Sequence, residues 1–289
     1  MRSLSLALGA LVVCAPLSAQ DVCKPGSGSR EADLFGHFSV PLAFSLGQSP
    51  WIYRPGSIQF GLEGTLLPDA SDRIATPTKC RPGKGPENVN LLSAFPRPRL
   101  GFALGDGVLL EVSWIPPVTR LNGVRTNLWG VALSRSVLLT PKGTMFMGRV
   151  HATLGNVRAP FVCPESATRD ATNVDCFGGQ ESDDRYSPNI FGVELGFAWP
   201  MARGRLRPYL GSGYNILHPR FQVDRIVAGG AVDNQKVEVN LSRWALFGGL
   251  TWAPNPGFML STEAYTAPSD AITARVKGMV VVGGRRKMR

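Results

Sequence analysis

The sequence predicts an all-β fold: an antiparallel transmembrane β-barrel of about ten strands, within a range of eight to twelve. Three observations predict it. Apolar and polar residues alternate with a period of two from about residue 57 to the end. The connections between the alternating segments are tight at one end and longer at the other. Beyond the first twenty residues no stretch reaches about 18 uninterrupted apolar positions, which excludes helical membrane spans.

The chain begins "MRSLSLALGALVVCAPLSAQ", with Arg2, an apolar run from about Leu4 to Leu17 and small residues before Asp21. This is the pattern of a secretory signal peptide over 1–20, cut near Ala19 or Gln20 and too short to be a membrane anchor. Its removal leaves 30 basic and 21 acidic residues and the cysteines Cys23, Cys80, Cys163 and Cys176. Four cysteines in an exported chain point to disulfides. Cys163 and Cys176 bracket the polar stretch "CPESATRDATNVDC" and are expected to close it locally, a loop worth roughly 3 kcal/mol.

The strands follow in order. "SIQFGLEGTLLP" sets Phe60, Leu62 and Leu66 against Gln59, Glu63 and Thr65. In "RPRLGFALGDGVLLEVSWIPP", Leu100, Phe102 and Leu104 oppose Arg97, Arg99 and Gly101, and after Gly105-Asp106-Gly107, Val108, Leu110, Val112 and Trp114 oppose Glu111 and Ser113. "TNLWGVALSRSVLL" and "TMFMGRVHATLG" flank the turn Pro141-Lys142-Gly143. "NIFGVELGFAW" sets Phe191, Val193, Leu195, Phe197 and Trp199 against Gly192, Glu194 and Gly196. Four more segments lie at about 205–216, 237–252, 257–266 and 271–283. In 237–252 the parity breaks between Val237, Val239 and Leu241 and the later Trp244, Leu246 and Leu250, which predicts a bulge near Ser242–Arg243.

Connections 105–107, 141–143, 200–204 and 253–257 are short, as periplasmic turns are; 69–95, 116–125, 156–188, 217–236 and 267–270 are the extracellular loops. Trp114, Trp129 and Phe191 then fall at the extracellular strand ends, and Trp199, Trp252 and Phe258 at the periplasmic ends, as two interfacial belts. With the apolar face given to lipid, a charged set converges on the lumen. It comprises Glu63, Arg97, Arg99, Glu111, Arg149, His151, Glu194, Arg205, Arg207, Glu263, Arg275 and Lys277, net positive by about three. Opposed charges there can pair, and unpaired ones are costly.

At "RPYLGSGYN" (207–215) the sequence resembles the OmpA-type small outer-membrane β-barrel family, in which a strand R-P-Y-x-G-x-G follows a short periplasmic turn, here "MARGR". The resemblance implies a bacterial outer-membrane barrel, with outer-membrane lipid and the barrel-assembly machinery of a Gram-negative envelope as its partners. Such barrels usually end on an aromatic residue, whereas this chain ends "VVVGGRRKMR". Tyr209, Gly211 and Gly213 belong to the lumen face, where glycine leaves room for long neighbours. The expected organisation is a signal peptide (1–20), an N-terminal segment (21–56), the barrel (57–283) and a basic tail (284–289). This topology makes Cys23 periplasmic and Cys80 extracellular. A bond between them requires 24–56 to thread the lumen or cross the membrane, with "LFGHFSVPLAFSL" (34–46) as a plug or an additional strand.

Catalysis has little to stand on in this sequence. No G-x-S-x-G, HExxH, Walker or full GxGxxG pattern appears, and Gly83-Lys84-Gly85 lacks the rest of a P-loop. Of the three histidines, His37, His151 and His218, His151 reads as a hydrogen-bonding lumen residue. Asp170, Asn173 and Asp175, with Glu181, Asp183 and Asp184, read as a solvated loop before they read as a Ca²⁺ site. No cofactor, metal or nucleic-acid partner is expected, and the basic tail faces solvent or anionic envelope polymers. The leading expectation is a non-enzymatic barrel, either structural or a narrow passive pore for small solutes. Its rivals are a surface adhesin acting on a ligand through loop 156–188 and a soluble periplasmic β-sandwich.

Overall fold

Alternation becomes geometry when strands pair, because successive side chains point to opposite faces. In the computed structural model, which describes residues 22–283 apart from 77, 79, 81–88, 118–119, 122 and 256, ten such strands close on themselves. They are β1 (Ile58–Leu66), β2 (Ala94–Gly105), β3 (Val108–Ile115), β4 (Val124–Leu138), β5 (Met145–Ala159), β6 (Ile190–Ala198), β7 (Leu206–Leu217), β8 (Leu241–Asn255), β9 (Phe258–Ala267) and β10 (Ala271–Val282). Each pairs antiparallel with its neighbours in sequence, and β10 returns to β1 with Val282 opposite Ile58. One closed sheet replaces the two packed sheets of a sandwich and leaves no barrel edge unpaired. The signal peptide and the basic tail lie outside the described residues.

The outward face is apolar around the whole circumference. Phe60, Leu100, Leu110, Val131, Val150, Val193, Leu210, Leu246, Leu260 and Val276 are contributed by all ten strands, and most of them stand exposed. Soluble monomers rarely expose contiguous apolar patches beyond a few hundred Å². A closed barrel with such a face, every strand's backbone paired, is a membrane-spanning structure. Aromatic side chains mark both rims: Trp114 stacks on Trp129 at the loop end (5.1 Å between centroids), and Trp199 and Trp252 lie near the turns. No helix is long and apolar enough to cross a membrane among the described residues.

The parity break in 237–252 has a different origin from the one expected. Register between β7 and β8 is continuous from Leu217↔Leu241 to Leu206↔Trp252, with no bulge at Ser242–Arg243. Val237, Val239 and Leu241 are instead buried and face inward. The inward face of the barrel is not uniformly polar. At the loop end it is apolar, with Ile115, Leu128, Ile190, Leu217 and Leu241 in one cluster, and at the turn end Ala103, Leu109, Met259, Met279 and Val281 form another. The charged side chains occupy the layer between.

What fills the interior is the N-terminal segment. Helix α1 (Arg30–Leu42) starts at Ser29, whose hydroxyl accepts from the Ala32 N–H (3.1 Å), with Glu31 and Asp33 in its positive first turn. It ends just after Pro41, which lacks an N–H to continue the ladder. Residues 43–51 then pass without regular structure through the lumen toward the turn end, where Tyr53 joins the second apolar cluster. At the loop end Val22–Cys23 pairs in parallel with Lys236–Glu238, extending a small sheet that also holds Arg220–Gln222 and Asp184–Ser187. Cys23 therefore sits at the loop end and not in the periplasm as the topology had suggested, and it is bonded to Cys80.

Candidate functional site in the barrel lumen

Ladder register decides which lumen charges meet. Glu63 on β1 lies between Arg97 on β2 and Lys277 on β10, Arg149 on β5 faces Glu194 on β6, and Glu263 on β9 faces Arg275 on β10. Directly opposed residues on one face are within side-chain contact, and all of these but Glu63 and Lys277 become ion pairs, Lys277 turning to Glu111 instead. Glu63 meets Arg99 at 2.5 Å and Arg97 at 3.7 Å. Glu111 gathers Lys277 (3.2 Å), Arg149 (3.5 Å) and Arg99 (3.6 Å). Glu194 holds Arg149 at 2.8 Å, and Glu263 stands 3.6 Å from Arg275. His151 lies in the lumen as expected, but its Nε2 is 3.6 Å from Glu194 and neither ring nitrogen makes the hydrogen bond expected of it. All of these side chains are buried.

Of the twelve charged residues that alternation assigns to the lumen, the structure brings eleven inside. Ten lie within the shared network or at its border, and Arg207 sits further toward the turns, its guanidinium 4.0 Å from the Trp51 ring centroid. Arg205 is the correction: it lies in the turn before β7 and is exposed. Parity counting had carried the strand one residue too far. The lumen thus holds six Arg/Lys against four Glu, a surplus of two in place of the expected three.

The surplus is matched by backbone. Residues 40–42 are the last turn of helix α1 and 43–46 form no ladder, so the carbonyls of both need donors from elsewhere. Arg275 donates to Val40 O (2.9 Å), and Arg97 donates to Leu42 O (2.9 Å) and Ala43 O (3.1 Å). Arg149 donates to Phe44 O (2.5 Å), and Arg99 donates to Ser45 O (2.9 Å) and Leu46 O (3.2 Å). The Phe44 ring lies beneath three of the same guanidiniums, at 4.3 Å from Arg99, 5.0 Å from Arg149 and 5.7 Å from Arg97. Glu263 accepts from Ser45 Oγ and from the Gly47 N–H (2.9 Å), and Thr251 Oγ1 accepts from the Ser49 N–H (2.7 Å). Gly47 has φ +67°, and a Cβ there would stand 3.0 Å from Glu63 Oε2. A side chain is disfavoured on both counts.

Sequence reasoning offered 34–46 as a plug or an additional strand, which takes in Phe44 and Ser45, but it gave no contact to either and did not single out Ser49 or Trp51, because a segment bonded by side chains has no period to read. The glycines of "RPYLGSGYN" behave as the alternation implies. A Cβ at Gly211 would lie 2.3 Å from Leu195 O and 2.3 Å from the Phe247 ring, so the strand passes too close to its neighbours for any side chain.

At the loop end the Cys163–Cys176 bond closes its loop as expected. Its acids serve the loop itself. Asp184 accepts from Val162 N, Ser182 Oγ and Asp224 N, and Asp183 takes Arg125 at 2.6 Å and Arg158 at 2.9 Å. Partial burial raises the Asp183 carboxyl, but the hydrogen bonds from Arg125 and Arg158 outweigh it and hold the group below the usual carboxylate range. Asp170 accepts from the N–H and hydroxyl of Thr172. His37, on helix α1, sets Nε2 3.0 Å from the Pro68 carbonyl and Nδ1 3.4 Å from the Asp270 carbonyl, and its neutral ring donates to one of the two. No group of three potential metal ligands occurs among the described residues.

No family model matches the chain, and no curated protein matches it. Solved structures do. The Ail attachment invasion protein of Yersinia pestis matches at 11% identity, over 81% of this chain and 100% of its own, with a TM-score of 0.30. The toluene transporter TodX of Pseudomonas putida matches at 13% identity, over 93% of this chain and 78% of its own, with a TM-score of 0.33. The translocator domain of the autotransporter NalP from Neisseria meningitidis matches at 10% identity, over 81% and 89%, with a TM-score of 0.37. At these scores the likeness carries nothing about ligand or partner. The fold stands on the chain's own ladder: a closed, ten-stranded antiparallel barrel of the outer-membrane kind.

Proposed function

We propose that the chain is a non-enzymatic bacterial outer-membrane barrel whose lumen is closed by its own residues 43–51, so that it is a structural and surface-presenting protein and not an open pore. The observation that carries this reading is the layering of the interior. A buried band of four Glu and five Arg/Lys, four of the arginines bonded to the threaded backbone, lies between apolar clusters at both ends. Passive diffusion requires a continuous water path, and an apolar layer at either end opposes one. The short turns then face the periplasm and the disulfide-closed loops face outward.

Planar-bilayer recording tests it. Correctly folded protein, verified by heat-modifiable migration, is expected to be electrically silent. Steady conductance of the full chain would return the lumen to the passive-pore reading. A second reading, surface binding through the loop expected at 156–188, which runs over 160–189 because β5 continues to Ala159, is favoured by Val174 and Phe177, which stand exposed inside or beside the Cys163–Cys176 loop. Deleting 164–175 should then abolish adhesion to a surface and leave the barrel folded.

A further inference from the structure

The apolar layer at the loop end is not completely filled. Between α1 and the wall formed by β2 to β5 lies a cavity of about 90 Å³, partly open at its edge. That is several times the roughly 10–15 Å³ that admits one water molecule and below the roughly 150 Å³ of an enclosed cavity that holds benzene, so a single ring enters it with one edge in the opening. Leu34, Phe38 and Leu42 of α1 line one side, and Phe95, Ile115 and Leu128 line the other.

The flank of the cavity is a connected set of rings. Phe35 lies 5.6 Å from Tyr186 and 6.3 Å from Phe221, and Phe38 lies 5.9 Å from Tyr186 and 6.4 Å from Phe161. One polar group interrupts the apolar lining from the wall. Thr126, on β4, lines the cavity and is 8% exposed, and its hydroxyl has no hydrogen-bond partner. A buried hydroxyl left unpaired costs about 1–3 kcal/mol, whereas Tyr186 nearby donates to Phe35 O at 3.1 Å.

We propose that this cavity is a binding site for a small aromatic molecule carrying one hydroxyl, its ring among Phe38, Phe95 and Leu128 and its hydroxyl on Thr126 Oγ1. Apolar pockets with a few convergent polar groups, at the mouths of barrels, are where such ligands bind. The ring removes apolar surface from water, and the single polar contact sets orientation. The site depends on the barrel and α1 being in place and makes no use of whether the lumen conducts.

The test is crystallographic and calorimetric. Crystals of the full chain soaked with 4-bromophenol should show one anomalous bromine peak in the cavity. In nanodiscs, Thr126→Val should weaken 4-bromophenol about tenfold and leave bromobenzene unchanged, because only the hydroxyl contact is lost. Leu34→Trp should abolish both, and if that variant does not fold, Val124→Phe fills the cavity from the wall instead. No bromine peak in the wild-type cavity, or bromine only on the lipid-facing surface, overturns the site. Equal loss of both compounds in Thr126→Val overturns the hydroxyl assignment.

Discussion

A buried charge is stable only while every partner stays, and Arg149 shows how many it can have. Its guanidinium serves Glu194, Glu111 and the Phe44 carbonyl while lying over the Phe44 ring. Arg149→Met leaves two carboxylates short of a cation and a carbonyl without a donor. The expected cost is about 3–5 kcal/mol, read as a lowered midpoint of urea unfolding in detergent. Arg149→Lys keeps the charge but not the fork, so it should recover only part of the loss. Arg205 provides the contrast. Exposed on its turn, it should tolerate Arg205→Ala within about 0.5 kcal/mol in the same assay. A cost near that of Arg149→Met would put Arg205 back in the lumen.

Among the elements, the strands were legible and the N-terminal segment largely was not. Lipid outside forces apolar residues to one parity in every membrane-spanning stretch, so β1 to β10 can be read from alternation alone. The same rule fails where the inside is also apolar. Met279 and Val281 face in while Val280 and Val282 face out, so the end of β10 reads as a plain apolar run. Val237 to Leu241 fails for the same reason and looks like a bulge. Residues 43–51 have neither helical nor strand period, because lumen side chains hold their backbone. Loop 160–189 was legible through its cysteines, but the carboxylate that ties it to β4 and β5 was not. Asp183, about a third exposed, pairs with Arg125 and Arg158. Its folded pKa lies below the unfolded value of about 3.9. Its contribution is therefore complete above about pH 4 and fades as pH falls through the lower folded value. Screening keeps it under about 1 kcal/mol. Amide exchange in 160–189 should be steady from pH 8 to 5 after correction for intrinsic rates, and rise only in more acidic buffer. Asp183→Asn should show the raised exchange at every pH; a rise already present near pH 6 would assign the effect to another group.

For the whole molecule, closure of the ladder and filling of the lumen are separable. Every interstrand bond of the barrel is made by residues 58–282, so the wall does not need the threaded segment to close. Deleting residues 22–51 removes the carbonyls of Val40 and Leu42 to Leu46 that the lumen arginines now hold. The four Glu and six Arg/Lys remain, with water in place of the backbone, and their surplus of two positive charges faces the new channel. The deletion variant is expected to keep its heat-modifiable migration, conduct steadily in planar bilayers and prefer anions. That preference should be clear at about 0.1 M salt, where the screening length is about 10 Å, and fade at 1 M, where it is about 3 Å. A folded deletion variant that stays silent would mean that the lumen side chains close the barrel unaided, leaving the segment as a brace for the wall and not the barrier itself.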